Sequence, residues 1–318
     1  MIRLLTFQHA VSVPMMMLLV TLAALGAAYF LIRAATLMLR RRAVKRPAYL
    51  LALAVAPTMI AMLLALGIVL PAFLRFEPPH EGERAGLVLV LLAVMGAWHA
   101  TRLIARAARM LIVSRAFTKQ WMASASALEP SRWGLPAFAI DAGFPVVAVA
   151  GLFRPRLLVD RSVLSACSAQ ELDAIAAHER AHVLYRDNLR RLLIGACEGP
   201  ASDAAVAWRE AAELAADAHA ADSPRRAVDL ASALLKLARL TPRRLLEATA
   251  LSTVHDGGNL EARVHQLLAI EAGHTRDVSS RHPWLAALSA FALAATLGWN
   301  RLLSSVHELI EELVVYLP

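Results

Sequence analysis

Four stretches of the chain carry no charged residue: 10–32, 47–74, 85–101 and 282–300, of 23, 28, 17 and 19 residues. A helix needs about 20 mostly apolar residues to cross a bilayer. The stretches therefore predict four transmembrane helices, at about 10–32, 48–74, 85–104 and 282–300. The first is too long for the apolar part of a cleaved leader, and RRRAVKR at 40–46 follows it as a stop signal, so it is expected to remain as an anchor. Pro57 and Pro71 in the second predict kinks.

Between the third and fourth stretches the pattern changes. TKQWMASASALEPSRWGLP at 118–136 reads as a polar linker. Two short β-branched runs, 146–150 and 156–159, flank Gly151 and Pro155 and predict a small hairpin or meander. Ser168 with Glu171 forms a capping-box pattern, and Leu172, Ile175, Ala176, Val183 and Leu184 recur at helical spacing, so a helix is predicted over about 169–194. Further helices are predicted at about 202–221, at 224–240, and from a cap at Asn259 to about 270. The tail, 301–318, reads as an amphipathic helix on the outer membrane face, where His307-Glu308 lacks the second His of a metal motif. The fold class expected is an α-helical membrane protein with four transmembrane helices and a mainly α (α+β) domain carrying a small hairpin or sheet. Its divisions are 1–116, 117–281 and 282–318.

Composition agrees with membrane insertion: 58% of the residues are hydrophobic and mean hydropathy is +0.53. The net charge of +8 is concentrated beside the apolar runs, with six basic residues in 33–46 and five in 102–119 and no acid in either. By the positive-inside rule both segments face the cytoplasm. That puts the N-terminus outside and the block 117–281 at the cytoplasmic face of an inner (plasma) membrane. The same placement makes lipid headgroups, not nucleic acid, the expected partner of the basic residues, and no helix-turn-helix or zinc-finger spacing is present. Cys167 and Cys197 form no metal-type pair and no disulfide framework, and read as packing residues in a reducing compartment.

The candidate chemistry lies in His178-Glu179-Arg180-Ala181-His182, an H-E-x-x-H sequence within the 169–194 helix. Residues i and i+4 share a helix face, so His178 and His182 can bind one metal ion, with Glu179 placed to act as a general base on water held there. Catalytic zinc takes three protein ligands and keeps one position open. Glu213 is the candidate third ligand, 31 residues after His182, and Glu210 one turn earlier competes with it. Asp187 and Asp217 are suited to hold the outer ring nitrogens of the two His. Two imidazoles and a carboxylate suit one Zn2+ per chain. His219 is a candidate transition-state stabiliser, and Arg263 a candidate for ion pairing or substrate contact.

GLFRPRLLVDRSVLSACSAQELDAIAAHERAHVLYRDNL (151–189) resembles the integral-membrane gluzincin metallopeptidases of the BlaR/MecR antibiotic-sensor type. These share a Gly-x-x-x-Pro-Arg strand, the sequence E-L-x-x-x-x-x-H-E-x-x-H and a following Asp. Three spans before the protease domain and one after also fit. The Glu213-to-Asp217 sequence is similar to the third-ligand motif shared with HtpX-like and CAAX-processing proteases. HtpX-like chains place membrane helices before that motif, where this one has only LLIGAC at 192–197. The resemblance implies a membrane-bound zinc metalloendopeptidase with His178, His182 and Glu213 as ligands and Glu179 as catalytic acid/base. Its substrate would be a cytoplasmic protein such as a paired repressor. The antibiotic-binding domain of the sensor members is not expected after Asn300. HtpX-like or CAAX-type processing, and a non-catalytic zinc-containing membrane scaffold, are the competing expectations.

Overall fold

The computed structural model describes residues 10–40, 46–76, 83–241, 260–271 and 299–312. The chain is mostly helical. It divides into two compact units, one of Met1–Ala43, Val55–Ile104 and Asp277–Pro318, the other of Val44–Ala54 and Ala105–Arg276.

Among the described residues three helical segments are long and apolar enough to cross a membrane: Val13–Leu37, Pro47–Phe76 and Leu87–Met122. The expected fourth span falls on 282–300, of which 282–298 lie outside the described residues. Strand β1 (Ala10–Val11) pairs antiparallel with β2 (Glu83–Arg84), joining the start of the first span to the start of the third. The first span is helix α1 (Val13–Arg40). The second is α2 (Pro47–Leu64), a π turn at Ala65–Val69, and α3 (Leu70–Phe76). Pro71 has no N–H to donate back to Gly67, and the wider π turn just before it accommodates that gap. The third span opens α4 (Leu87–Met122), which is helical through 117–122. The linker predicted from 118 therefore begins as helix, because TKQWM continues the α4 backbone with no Gly or Pro to stop it.

Small residues bring α1 and α4 into backbone contact. A Cβ on Gly96 would lie 1.9 Å from the Leu22 carbonyl oxygen, and one on Gly26 would lie 2.5 Å from that of Leu92. Gly96→Leu is expected to force the helices apart at a cost of about 1–3 kcal/mol or more. A lower melting temperature of the detergent-solubilised chain checks this, and an unchanged value would refute the close crossing. Around the crossing, Met16, Val20, Phe73 and Leu89 form an apolar cluster. Each span also contributes one side chain to a polar trio in which Thr58 and His99 are buried and Tyr29 is half-buried. His99 stacks on Tyr29 with ring centroids 3.6 Å apart, and its Nε2 lies 3.3 Å from Thr58 Oγ1. In the tail, residues 299–312 are helical, with Leu303 and His307 buried and the His307 ring tilted against Phe76, centroids 5.7 Å apart.

The second unit carries a four-stranded mixed sheet. Its strands are β3 (Ser126–Leu128), β4 (Ala137–Ile140), β5 (Val147–Ala150) and β6 (Arg156–Asp160), in the order β3-β4-β6-β5. The predicted hairpin is present as β5 antiparallel to β6, with Val147 opposite Val159. The segment read as a polar linker also forms a strand and a short helix. Ser126–Leu128 pairs antiparallel with β4, the short helix α5 (Pro130–Trp133) follows, and β4 runs parallel to β6. Strands of three and four residues are too short to show an alternating pattern.

After β6 come α6 (Arg161–Ala166), α7 (Ala169–Leu184), α8 (Asp187–Cys197), α9 (Asp203–Ala220), α10 (Pro224–Leu240) and α11 (Leu260–Glu271). The capping box at Ser168 is formed. The Ser168 N–H donates to Glu171 Oε2 at 2.7 Å, and the Glu171 N–H donates to Ser168 Oγ at 3.3 Å. Lys236 Nζ and Ser232 Oγ also donate to Glu171, at 2.7 and 2.6 Å, which ties α10 to the start of α7. One face of α7 packs Leu172, Ile175 and Ala176 on Leu157, Val159 and Trp133. Its Ala174 and Ala177 face Leu230 and Leu234 of α10 and Leu267 of α11. Thus α7 lies between the sheet and two helices and is held on both sides. Cys167 and Cys197 are buried and not joined by a disulfide.

Candidate metal centre

The helix predicted over 169–194 is interrupted. Arg186 adopts a left-handed conformation, φ 54° and ψ 42°, between α7 and α8. That single residue ends one helix and starts the next with no Gly or Pro to announce it. Its consequence is local: Asp187 opens α8 and returns its carboxylate to the end of α7, with Oδ2 2.8 Å from His182 Nδ1. Helix α9, N-capped by Ser202, supplies Glu213 and Asp217 one turn apart on its buried face. Asp217 Oδ1 lies 2.9 Å from His178 Nδ1.

Both imidazoles thus turn Nδ1 to a carboxylate and Nε2 inward. The two Nε2 atoms are 3.1 Å apart, with the rings nearly perpendicular at 86°. Glu213 completes a triangle, Oε2 at 3.4 Å from His178 Nε2 and Oε1 at 3.6 Å from His182 Nε2. His182 Nδ1 is hydrogen-bonded to Asp187 and His178 Nδ1 lies within ion-pair distance of Asp217, so with a proton on each Nδ1 the two Nε2 atoms face each other and the Glu213 carboxylate, and a proton or a metal ion must lie among them. For an ion held tetrahedrally at zinc–nitrogen distances, neighbouring donors lie about 3.3 Å apart. The observed separations surround that value. His178, His182 and Glu213 form a buried group that can hold a metal ion.

Arg263 closes the far side from α11. Its Nε and Nη2 donate to the two Asp217 oxygens at 2.7 and 2.8 Å, and Nη1 lies 3.2 Å from Glu213 Oε2. Burial alone would raise the carboxyl groups of Asp217 and Glu213, but the Arg263 guanidinium and the imidazoles outweigh it. Asp217 is held well below the usual carboxylate range and Glu213 is lowered to about 2. Burial likewise pushes the His178 imidazole down, and Asp217 and Glu213 overcome that and carry it up to about 10. Glu179 goes the other way: its 2% exposure raises it above the ordinary carboxylate value, only partly offset by His182 and His178.

These shifts fix a pH dependence. A metal must displace the proton that His178 retains up to about pH 10. Apparent metal affinity should therefore rise about tenfold per pH unit between roughly pH 7 and 9. The chain stripped of metal should behave differently. Its Glu213 contribution to stability is complete above pH 4.5 and is lost as pH falls towards about 2, because the folded state lowers that group. Its His178 contribution is complete below pH 6.5 and is lost as pH rises through about 10. A plateau of melting temperature between those limits, with decline on both sides, is expected. A stability that rises steadily through pH 10 would contradict the assignment.

The sequence candidates sort plainly. His178, His182 and Glu213 come together, Glu179 is buried beside them on α7, and Asp187 and Asp217 each touch one His. Arg263 is an ion-pairing residue of the centre. Glu210 is exposed on α9 and is not in the cluster, because the buried face of that helix runs through Trp208, Ala212, Glu213, Ala216 and Asp217. His219 is also exposed, and its partner is the Tyr185 hydroxyl, 3.3 Å from Nδ1. Two supporting residues were not legible. Asn188 donates its side-chain amide to the carbonyls of Val149 and Gly151 at 2.9 and 3.0 Å, fastening α8 to the edge strand β5. Arg180, inside the H-E-x-x-H sequence, lies 3.3 Å from the carbonyls of Arg132 and Trp133. Asn188 adjoins Asp187, and that adjacency is the one local signal the sequence offers. Neither family models nor curated proteins give a match to this chain.

Proposed function

We propose that the chain is a membrane-anchored zinc metalloendopeptidase of the BlaR/MecR-like gluzincin kind, cleaving a cytoplasmic protein in regulatory proteolysis. The observation that carries the reading is Glu179. It is a buried carboxylate which, among the described residues, has no hydrogen-bond or ion-pair partner, directly beside a three-ligand metal pocket. Burying a carboxylate without a partner is costly, and a purely structural metal site has no need of one.

Zinc held by His178, His182 and Glu213 would supply Lewis acidity to a peptide carbonyl and to a water in its open position. Glu179 takes the proton of the attacking water and returns it to the departing amine, a role favoured by its raised proton affinity. Asp187 holds the Nδ1 proton of His182, and Asp217, 2.9 Å from His178 Nδ1, favours the same orientation there, which turns both Nε2 atoms to the ligand pocket. Arg263 fixes the Asp217 and Glu213 carboxylates without entering the reaction.

The substrate path fits the edge of the sheet. Val146 O accepts from the Asp160 N–H, so alternation turns the backbone groups of Val147 and Val149 away from β6. Asn188 already occupies the Val149 carbonyl and Val147 is buried, which leaves the Val149 N–H to pair with an extended peptide. The basic segments 33–46 and 102–119 favour a position of this unit at the cytoplasmic face with the N-terminus outside. The test uses the full-length chain in nanodiscs with an unfolded protein as substrate. New peptide termini are expected with zinc, none after chelation, and the same termini again when zinc is restored. Equal cleavage by the chelated chain would overturn the reading.

A further inference from the structure

Arg191 is a cation in search of an anion. It stands on α8 one helical turn beyond Asp187, the carboxylate that holds His182, so the two side chains share a face of the helix. Its Nε is shielded from solvent and has no hydrogen-bond partner, and the guanidinium forms no ion pair with any described residue. The side chain as a whole remains partly exposed, so a ligand can reach it. Burial lowers its proton affinity, while Glu213, Asp187 and Glu179 raise it through their charge, which places Arg191 within electrostatic range of the metal pocket and of the proposed base. A second guanidinium, Arg209, sits one turn before Glu213 on α9 and pushes against it.

A shielded guanidinium beside another cation is unfavourable by itself. The carboxylates nearby are engaged by other cations: Asp217 and Glu213 by Arg263, Asp187 Oδ2 by His182, and Asp187 Oδ1 by Arg190 at 3.5 Å. The planar fork of a guanidinium matches a carboxylate with two parallel hydrogen bonds. We propose that Arg191 anchors a carboxylate of the peptide substrate next to the metal pocket, supplied by an acidic side chain or by a free C-terminus. The proposal rests on the peptidase reading and adds a substrate class to it: peptides bearing a negative charge within a few residues of the cleaved bond.

The test uses the full-length, zinc-loaded chain in detergent, on a Glu179→Gln background so that bound peptide survives. The probes are fluorescent acetylated peptides in three forms: a single Glu walked through successive positions with an amidated end, the all-Gln amidated parent, and the all-Gln parent with a free C-terminal carboxylate. With Arg191 present, one Glu position or the free C-terminus is expected to bind at least about tenfold more tightly than the parent, and which of them gains identifies the source of the carboxylate. Arg191→Gln should erase the gain and leave parent affinity and zinc content unchanged. Arg191→Lys should keep part of it, since charge remains but the fork is lost. Equal binding of all three probes overturns the proposal. So does an Arg191→Gln variant that weakens every probe alike while losing zinc, the behaviour of a structural counter-charge. Cleavage by the Glu179 chain with no carboxylate preference overturns the Arg191 assignment alone. Failure to cleave or bind any peptide with zinc in place overturns both readings.

Discussion

Glu179→Gln is expected to reduce peptide hydrolysis by about 10²–10⁴-fold or more while zinc stays near one ion per chain. The substitution is nearly isosteric and removes only the capacity to accept and return a proton. Glu179 is no member of the ligand triangle, so metal affinity should hold. Its lack of an ion-pair partner also means that neutralising it should cost no fold stability, and should add some by relieving a buried charge. Hydrolysis rates, zinc content and melting temperature measured together decide the matter. A Glu179→Gln chain that cleaves at the wild-type rate removes Glu179 from the mechanism. One that loses its zinc makes it a ligand instead.

Arg263→Leu is expected to destabilise the chain by about 3–5 kcal/mol, the loss typical of removing one partner from a buried charge pair. Asp217 is fully buried, and both of its oxygens accept from Arg263; Glu213 shares the same guanidinium. Without it, two carboxylates and the imidazoles must share whatever cation is present. Zinc should therefore recover part of the lost stability, and more of it than zinc adds to the wild-type chain. Arg263→Lys should fall between, since an ammonium restores charge but cannot bond both Asp217 oxygens in the same fork. Denaturation followed by circular dichroism, with and without zinc, gives the three differences. A Leu variant within about 1 kcal/mol of wild type would show that Arg263 is not the keystone of the acidic group.

The parts of this protein that depend on short-range pattern were legible in the sequence. The capping box, the i, i+4 spacing of His178 and His182, and the Glu213-to-Asp217 turn all follow from helix geometry, and each appears as expected. The β5–β6 hairpin was equally plain, because Gly151 and Pro155 punctuate two β-branched runs. What was missed depends on tertiary context. The break at Arg186 has no Gly or Pro to mark it and is held by what Asp187 gains on the other side. Strands β3 and β4 are too short for periodicity; β4 is held by pairing with β6, and β3 by pairing with β4. Arg263 stood as a candidate for ion pairing, but its partners were not legible, because it is 81 residues from His182 in sequence and no spacing rule links it to Asp217. His219 was drawn in by its place on the Glu213 helix, but it lies on the exposed face.

The most direct measurement is zinc-edge X-ray absorption of the full-length chain loaded with one equivalent of zinc. The proposed centre predicts one bound ion with two imidazoles, one carboxylate and one exchangeable light-atom ligand, at about 2.0–2.1 Å for the nitrogens. The imidazole signal should drop by half in His182→Ala. A chain that takes up no zinc, or that closes the ion with four protein ligands and leaves no exchangeable position, would contradict a catalytic centre built on His178, His182 and Glu213.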